Sequence, residues 1–178
     1  MKKSKETTPG ADFSKLVPLG EISGFDKKET QQLRKMATDA KAFLLSFKWC
    51  KSVQECWFGW GIGKVCAVLL FRIKPAAKNV DDWLWVIVGD LPPAYLVLDG
   101  IPNPREALET YIELMQEWVD VVRRGGPVED CIPVNAPATR DNAKALANRL
   151  DFMRRNFLDA IEERKEKRRE KGLKAKGD

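Results

Sequence analysis

The sequence has no histidine and only four cysteines, and these two features narrow its possible chemistry. Without an imidazole, the chain cannot build a Ser-His-Asp or Cys-His catalytic arrangement from its own side chains. The cysteines include no C-x-x-C pair, so the close ligand spacing of a zinc site is missing; they are Cys50, Cys56, Cys66 and Cys131. We therefore predict no metal and no cofactor.

The sequence also lacks an uncharged apolar run of the roughly 20 residues that a membrane-spanning helix needs. The apolar stretch 57–73 contains Lys64 and Arg72, and the stretch 83–98 contains Asp90 and two prolines. Both stretches predict buried strands instead. Because the N-terminus is polar and carries no apolar signal segment, we expect a cytoplasmic protein with reduced thiols and no membrane partner.

The net charge of +5 is concentrated at the two ends of the chain. Residues 1–8 carry +2 and residues 162–178 carry +3, so residues 9–161 sum to zero. A nucleic-acid-binding domain usually carries basic residues on the fold itself, so this pattern disfavours nucleic acid except through the tails. We predict a flexible lead at 1–20, a single domain at 21–161 and a charged, fraying tail at 162–178.

Apolar spacing and capping residues predict three helices. Asp26 followed by Glu29 resembles a capping box, and the apolar side of the helix after it holds Leu33, Met36, Ala37, Ala40, Phe43, Leu44 and Phe47. Asn103 with Pro104 begins the second helix, and Thr139 begins the third. Residues 48–56 are expected to continue the first helix or to form a short helix of their own.

Two short segments, 65–73 and 83–88, are apolar on both alternating faces, which is typical of central strands covered on both sides. A further strand is predicted at 95–98. The glycine-rich segment 59–64 superficially resembles a phosphate loop, but Lys64 is followed by a strand and no Ser or Thr, so we predict a hairpin turn. The fold class is therefore α+β, with a small, mostly antiparallel sheet of three to four strands and helices packed on both faces.

The segment GDLPPAY, residues 89–95, is the most distinctive part of the sequence. Gly89 can adopt dihedrals closed to other residues, and Pro92 forces Leu91 into an extended conformation. We expect a stiff corner at a sheet end, which is either a structural turn or a recognition loop. Its residues Asp90, Leu91, Pro92 and Tyr95 are candidates for contact with a partner.

Trp57 and Trp60 are further candidates, because glycines flank Trp60 and few neighbouring side chains are available to cover it. A partly exposed tryptophan in a turn suits a protein interface.

The sequence supports catalytic residues less well than it supports partner-binding residues. Asp81, Asp82, Asp90 and Asp99 flank the strand pair without a spacing that forces two carboxylates together. Cys131 would need activation by a nearby cation or helix N-terminus to act as a nucleophile.

The run WVIVGDLPPAY, from Trp85 to Tyr95, is followed by PREAL at residues 104–108. This pattern resembles bacterial families of unknown function that carry a W-x-x-x-G-D-L-P-x-x-Y segment and a P-R-E-A-L helix start. The resemblance covers about residues 48–160 and leaves out both tails. It implies a small bacterial cytoplasmic protein and brings no activity with it.

We therefore predict a non-enzymatic protein-binding module of a bacterial cytoplasmic system, with another protein as its partner. A toxin-neutralising immunity protein or an accessory subunit fits this size and compartment. One alternative is a small hydrolase that uses Asp90 or Cys131. The second is a nucleic-acid-associated protein that acts through its basic tails.

Overall fold

The computed structural model describes residues 10–158, which form one antiparallel sheet and three α-helices. The strands are β1 (Val17–Pro18), β2 (Cys50–Ile62), β3 (Cys66–Pro75), β4 (Trp83–Gly89) and β5 (Ala94–Val97). The helices are α1 (Lys27–Leu45), α2 (Pro104–Arg123) and α3 (Arg140–Met153). None of the described helices has the length and apolar character needed to span a bilayer.

The sheet is a meander in which each strand pairs antiparallel with the next, in the order β1-β2-β3-β4-β5. Residues 66–71 of β3 and 84–88 of β4 are all buried, so both faces of these strands are covered. This burial confirms the prediction of two central strands. One face contributes alternate side chains to a core with α1, namely Ala67, Leu69, Phe71, Ile73, Leu84, Val86 and Val88.

The start of α1 follows the predicted capping box. Asp26 Oδ1 accepts a hydrogen bond from the Glu29 amide at 2.7 Å, and Glu29 Oε2 accepts one from the Phe25 amide at 2.6 Å. The other oxygen of Glu29 accepts a hydrogen bond from the Gly63 amide at 3.3 Å. This one carboxylate therefore satisfies an amide near the helix N-terminus and also ties the helix to the β2–β3 turn.

The expectation of a helix over 48–56 is wrong, because Cys50–Ile62 forms β2. This strand pairs with β3 along its whole length, with register shifts next to Ser52, Glu55 and Trp60. The turn is accordingly later than expected, with the Val65 amide donating to the Ile62 carbonyl at 3.0 Å. Local sequence does not distinguish the two outcomes, whereas pairing with the apolar β3 selects the strand.

The α+β class and the antiparallel sheet are confirmed, with five strands in the described residues where three or four were expected. Packing of α1 accounts for one covered face; helices on both faces stay a prediction. The predicted limits of lead, domain and tail are also untested. Within the lead, however, β1 pairs with β2, and Leu16 is buried.

The chain forms two compact units, one ending at Ala107 and the other beginning at Leu108. In the first, the Asn103 side chain accepts a hydrogen bond from the Glu106 amide at 3.0 Å and so caps α2 as predicted. In the second, Thr139 caps α3 by accepting from the Asn142 amide at 3.2 Å. Both helices bury their apolar side chains, which are Leu108, Tyr111, Ile112, Met115, Trp118, Val119 and Val122 in α2 and Ala143, Leu146, Leu150 and Met153 in α3.

Candidate functional site

A groove of about 420 Å³ lies in the first unit, between α1 and the segment that joins β4 to β5. Its apolar side chains are Met36, Phe43, Val88, Leu91 and Pro93. Its polar residues are Gln32, Lys35, Asp39 and Lys64. An apolar cleft with a few polar groups at its margin is a typical binding site.

Gly89 fixes the wall of this groove. Its φ is +151°, and an added Cβ would overlap the Val65 carbonyl oxygen and lie 2.8 Å from the Cys66 Cα. The next amide, that of Asp90, donates a hydrogen bond to the same carbonyl at 3.0 Å. The chain can make this close approach only with glycine, and the approach pins the turn against the start of β3.

A cluster of four aromatic side chains continues the groove. Phe43, which lines the groove, packs edge-on against Phe47 with ring centroids 5.1 Å apart. Phe47 stacks on Trp49 at 5.0 Å, and Tyr95 packs against both of them at 5.4 and 4.9 Å. These residues come from α1, the α1–β2 connection and β5, so only the folded chain brings them together.

We call the groove and this cluster the α1–β5 surface, defined by Phe43, Phe47, Trp49, Leu91, Pro93 and Tyr95. Tyr95 is 36% exposed, and the other five are half-buried. Sequence periodicity placed Phe43 and Phe47 on the apolar side of the first helix. Phe43 lies at the margin of the α1 core, whereas Phe47 is half-buried just after the helix ends. No local signal in the sequence could have identified Phe47, because it follows the end of α1 and meets Tyr95 only in the folded chain.

The sequence-predicted candidates separate into two groups. Leu91 lines the groove and Tyr95 belongs to the aromatic cluster, with Asp90 and half-buried Pro92 in the same turn. Trp57 and Trp60 pair with Leu70 and Val68 in β2–β3, on the face opposite the α1 core. The structure therefore does not bring all six candidates to one surface.

Trp57 is half-buried and packs against the N-terminal part of the chain. The ring of Phe13 packs edge-on against Trp57 at 5.1 Å and against Trp83 at 5.6 Å. The Trp57 indole donates a hydrogen bond to Glu55 Oε2 at 3.3 Å, and Glu55 Oε1 accepts one from Arg72 at 3.0 Å. Trp60 is half-buried and lies next to a shift in the β2–β3 register.

The catalytic candidates do not assemble into one site in the described residues. Asp81, Asp82 and Asp99 lie around a second, smaller pocket of about 220 Å³, which Asp90 does not line. Residues 10–158 contain no group of three or more Cys, Asp or Glu side chains able to hold a metal ion. Asp90, the carboxylate that the hydrolase alternative would use, therefore does not share a pocket with the other three.

Cys131 lacks the electrostatic environment of a nucleophile. Partial burial raises the pKa of its thiol, and the nearby Glu117 carboxylate raises it further. A reactive cysteine needs the opposite shift, because the thiolate is the attacking species. Burial also raises the pKa of Cys56 and of Cys66 to about 12 each, so these thiols stay protonated at neutral pH.

Comparison of the chain with protein-family models, with curated proteins and with solved structures finds no match. The resemblance to bacterial families carrying the GDLP segment therefore stays a prediction.

Proposed function

We propose that this chain is a non-enzymatic protein-binding module of a bacterial cytoplasmic system, and that its partner docks on the α1–β5 surface. The observation that carries the proposal is the aromatic cluster of Phe47, Trp49 and Tyr95 beside an apolar groove. Interface hot spots are rich in Tyr and Trp and lie in well-packed apolar surroundings.

The rigidity of the surface supports the same function. Gly89 fixes the turn against Val65, and Pro92 and Pro93 restrict the backbone that leads into β5. The aromatic rings hold one another in place through edge-on and stacked contacts. A partner that binds here pays little ordering entropy on this side of the interface.

Within this class, a toxin-neutralising immunity protein or an accessory subunit is the narrower form of the proposal. Both act by presenting a preformed surface to one protein, and neither needs a catalytic group. This narrower form rests on the size of the chain and the expected compartment. Asp90, Leu91, Pro92 and Tyr95, which share the turn and strand bordering the groove, support the broader class of protein-binding module.

Photo-cross-linking tests the proposal directly. A benzoyl-phenylalanine is placed at Tyr95 in the full chain, and a matched one replaces Phe152, which is 45% exposed on α3. We expect position 95 to yield a specific cross-linked protein that position 152 does not. The cross-linked protein is then identified by mass spectrometry and purified.

Titration of that purified partner completes the test. Tyr95→Ala should weaken binding by about tenfold or more, which corresponds to about 1.4 kcal/mol. Phe152→Ala, the matched loss of an exposed aromatic, should leave the affinity unchanged. Equal affinity of the wild type and Tyr95→Ala, or cross-linking from position 152 alone, would show that the α1–β5 surface is not the docking site.

A further inference from the structure

The described part of the first unit carries a charge asymmetry that the near-neutral total of residues 9–161 conceals. Helix α1 has five basic residues and two acidic ones, all five basic residues being exposed: Lys27, Lys28, Arg34, Lys35 and Lys41. Both acidic residues are engaged locally. Glu29 accepts hydrogen bonds from two backbone amides, and Asp39 pairs with Lys35 at 2.7 Å.

Two further lysines extend this positive charge along the α1–β5 surface. Lys64 lines the groove next to the N-terminal half of α1, where the β2–β3 turn meets the helix. Lys48 is exposed between Phe47 and Trp49, beyond the C-terminal end of α1. The apolar surface therefore has a cation near each end. Along its margin lies the exposed ion pair of Lys35 with Asp39, both of which line the groove.

The length of the surface sets the size of what it can hold. From Gln32 to Leu45 the helix rises about 20 Å, at 1.5 Å per residue. An extended peptide covers that distance with about six residues. An apolar side chain of such a segment fits the groove at Phe43 and Leu91 while acidic residues on either side reach the lysines.

The arrangement of the rings favours a protein segment over a nucleic acid. Bases bind basic surfaces by stacking on the free faces of separate aromatic side chains. Here Phe47 stacks on Trp49, and Tyr95 packs against both, so the rings form one packed apolar patch. A second copy of the chain is also disfavoured, because it would bring the same positive charge to the same surface.

We propose that the partner presents an acidic segment with an apolar anchor, which occupies the groove between Lys35, Lys48 and Lys64. This inference rests on the proposed function and adds the chemistry of the partner. The groove binds the apolar side chain, and the flanking lysines orient the segment and accelerate its association. Charge at an exposed rim mainly sets specificity and the rate of encounter, so salt should weaken the complex.

The probe is a phage library of random peptides of about 12 residues, selected on the immobilised full chain. We expect the enriched peptides to carry net negative charge and a Leu or aromatic residue. Their binding should fall about tenfold or more in the Tyr95→Ala variant and in the triple variant Lys35→Glu, Lys48→Glu, Lys64→Glu.

A matched triple variant controls for total charge. Arg140→Glu, Lys144→Glu and Arg154→Glu remove the same charge from exposed positions at α3 and just after it, and should leave peptide binding unchanged. Circular dichroism and thermal melting confirm that each variant folds. Selection on the Lys35, Lys48 and Lys64 triple variant should enrich basic peptides instead of acidic ones.

The outcomes separate the two proposals. Enriched peptides that depend on Tyr95 but not on the three lysines would overturn the acidic segment and leave the docking surface in place. Failure to enrich any peptide that depends on Tyr95 would count against both. Tighter binding of an oligo-dT of about 20 nucleotides than of the selected peptides, lost in the lysine triple variant, would overturn the inference in favour of nucleic acid.

Discussion

Two aromatic clusters in the first unit have similar composition but different surroundings. In the covered cluster, Phe13 from the N-terminal part of the chain packs on Trp57 and Trp83. In the open cluster, Phe47, Trp49 and Tyr95 pack on one another, and Tyr95 remains 36% exposed. The difference lies in the exposure of one ring, since Phe13, Trp57 and Trp83 are all half-buried, as are Phe47 and Trp49, whereas Tyr95 is more exposed.

This contrast shows how a dense set of aromatic residues divides between stability and recognition. Aromatic rings stabilise a fold when another part of the chain removes them from water. Rings that keep an exposed side can still stabilise a complex, because a partner that covers them gains binding free energy. In the covered cluster, Arg72 Cζ also lies 5.7 Å from the Trp83 ring centre, and the Arg72 guanidinium donates a hydrogen bond to Glu55.

The largest effect is expected at Gly89, on which the groove beside the open cluster depends. Gly89→Val places a side chain against the Val65 carbonyl and strains a backbone with φ of +151°. The free energy of unfolding should therefore fall by at least about 3 kcal/mol. Urea denaturation measures the change. Gly100→Ala is the control, because Gly100 has φ +74° with open space around it, and its cost should be about 1 kcal/mol. Equal costs would show that the contact with Val65 is unimportant.

A second experiment compares how much each cluster contributes to the free energy of unfolding. Phe13→Ala removes the ring that covers two tryptophans and should cost about 2 kcal/mol, whereas Tyr95→Ala should cost about 1 kcal/mol, because Tyr95 is already partly exposed. Both are measured by urea denaturation of the full chain. The reverse order would mean that the open cluster stabilises the fold and that the N-terminal segment contributes little.

The smallest effect is expected at Trp60, the other sequence-predicted anchor for a partner. Trp60 lies on the sheet face opposite the α1 core, away from the face that Tyr95 shares with Val86. Trp60→Ala should therefore change the affinity for the cross-linked partner by less than about twofold. Isothermal titration alongside Tyr95→Ala gives the comparison. A loss at Trp60 equal to that at Tyr95 would extend the interface to the β2 face.

Local signals in the sequence account for most of the elements. The Asp26, Asn103 and Thr139 caps predict where the three helices begin, and each side chain accepts the expected amide hydrogen bond. The two-sided apolar character of 65–73 and 83–88 predicts β3 and β4. These features are predictable because capping and burial on both faces depend on residues close together in the chain.

Only the part of the candidate site that the GDLPPAY segment forms was predictable from the sequence. The GDLPPAY segment identified Leu91 and Tyr95, since glycine and proline restrict the backbone locally. Phe47 and Trp49 were missed, because the α1 pattern placed Phe47 on the apolar side of the helix and residues 48–56, which include Trp49, were expected to be helical. Their contact with Tyr95 joins residues nearly 50 positions apart in the sequence.

The sequence by itself determined the α+β class, the helix starts and the stiff corner at Gly89, because each depends on backbone preferences and apolar spacing within a few residues. Tertiary structure alone decided that residues 50–62 form a strand, since this segment pairs with β3 along its length and with β1 at Trp57 and Phe58. It also decided which aromatic cluster is covered. Phe13 reaches Trp57 because β1 pairs with β2, whereas Phe47 and Trp49 pack on Tyr95 and leave it 36% exposed.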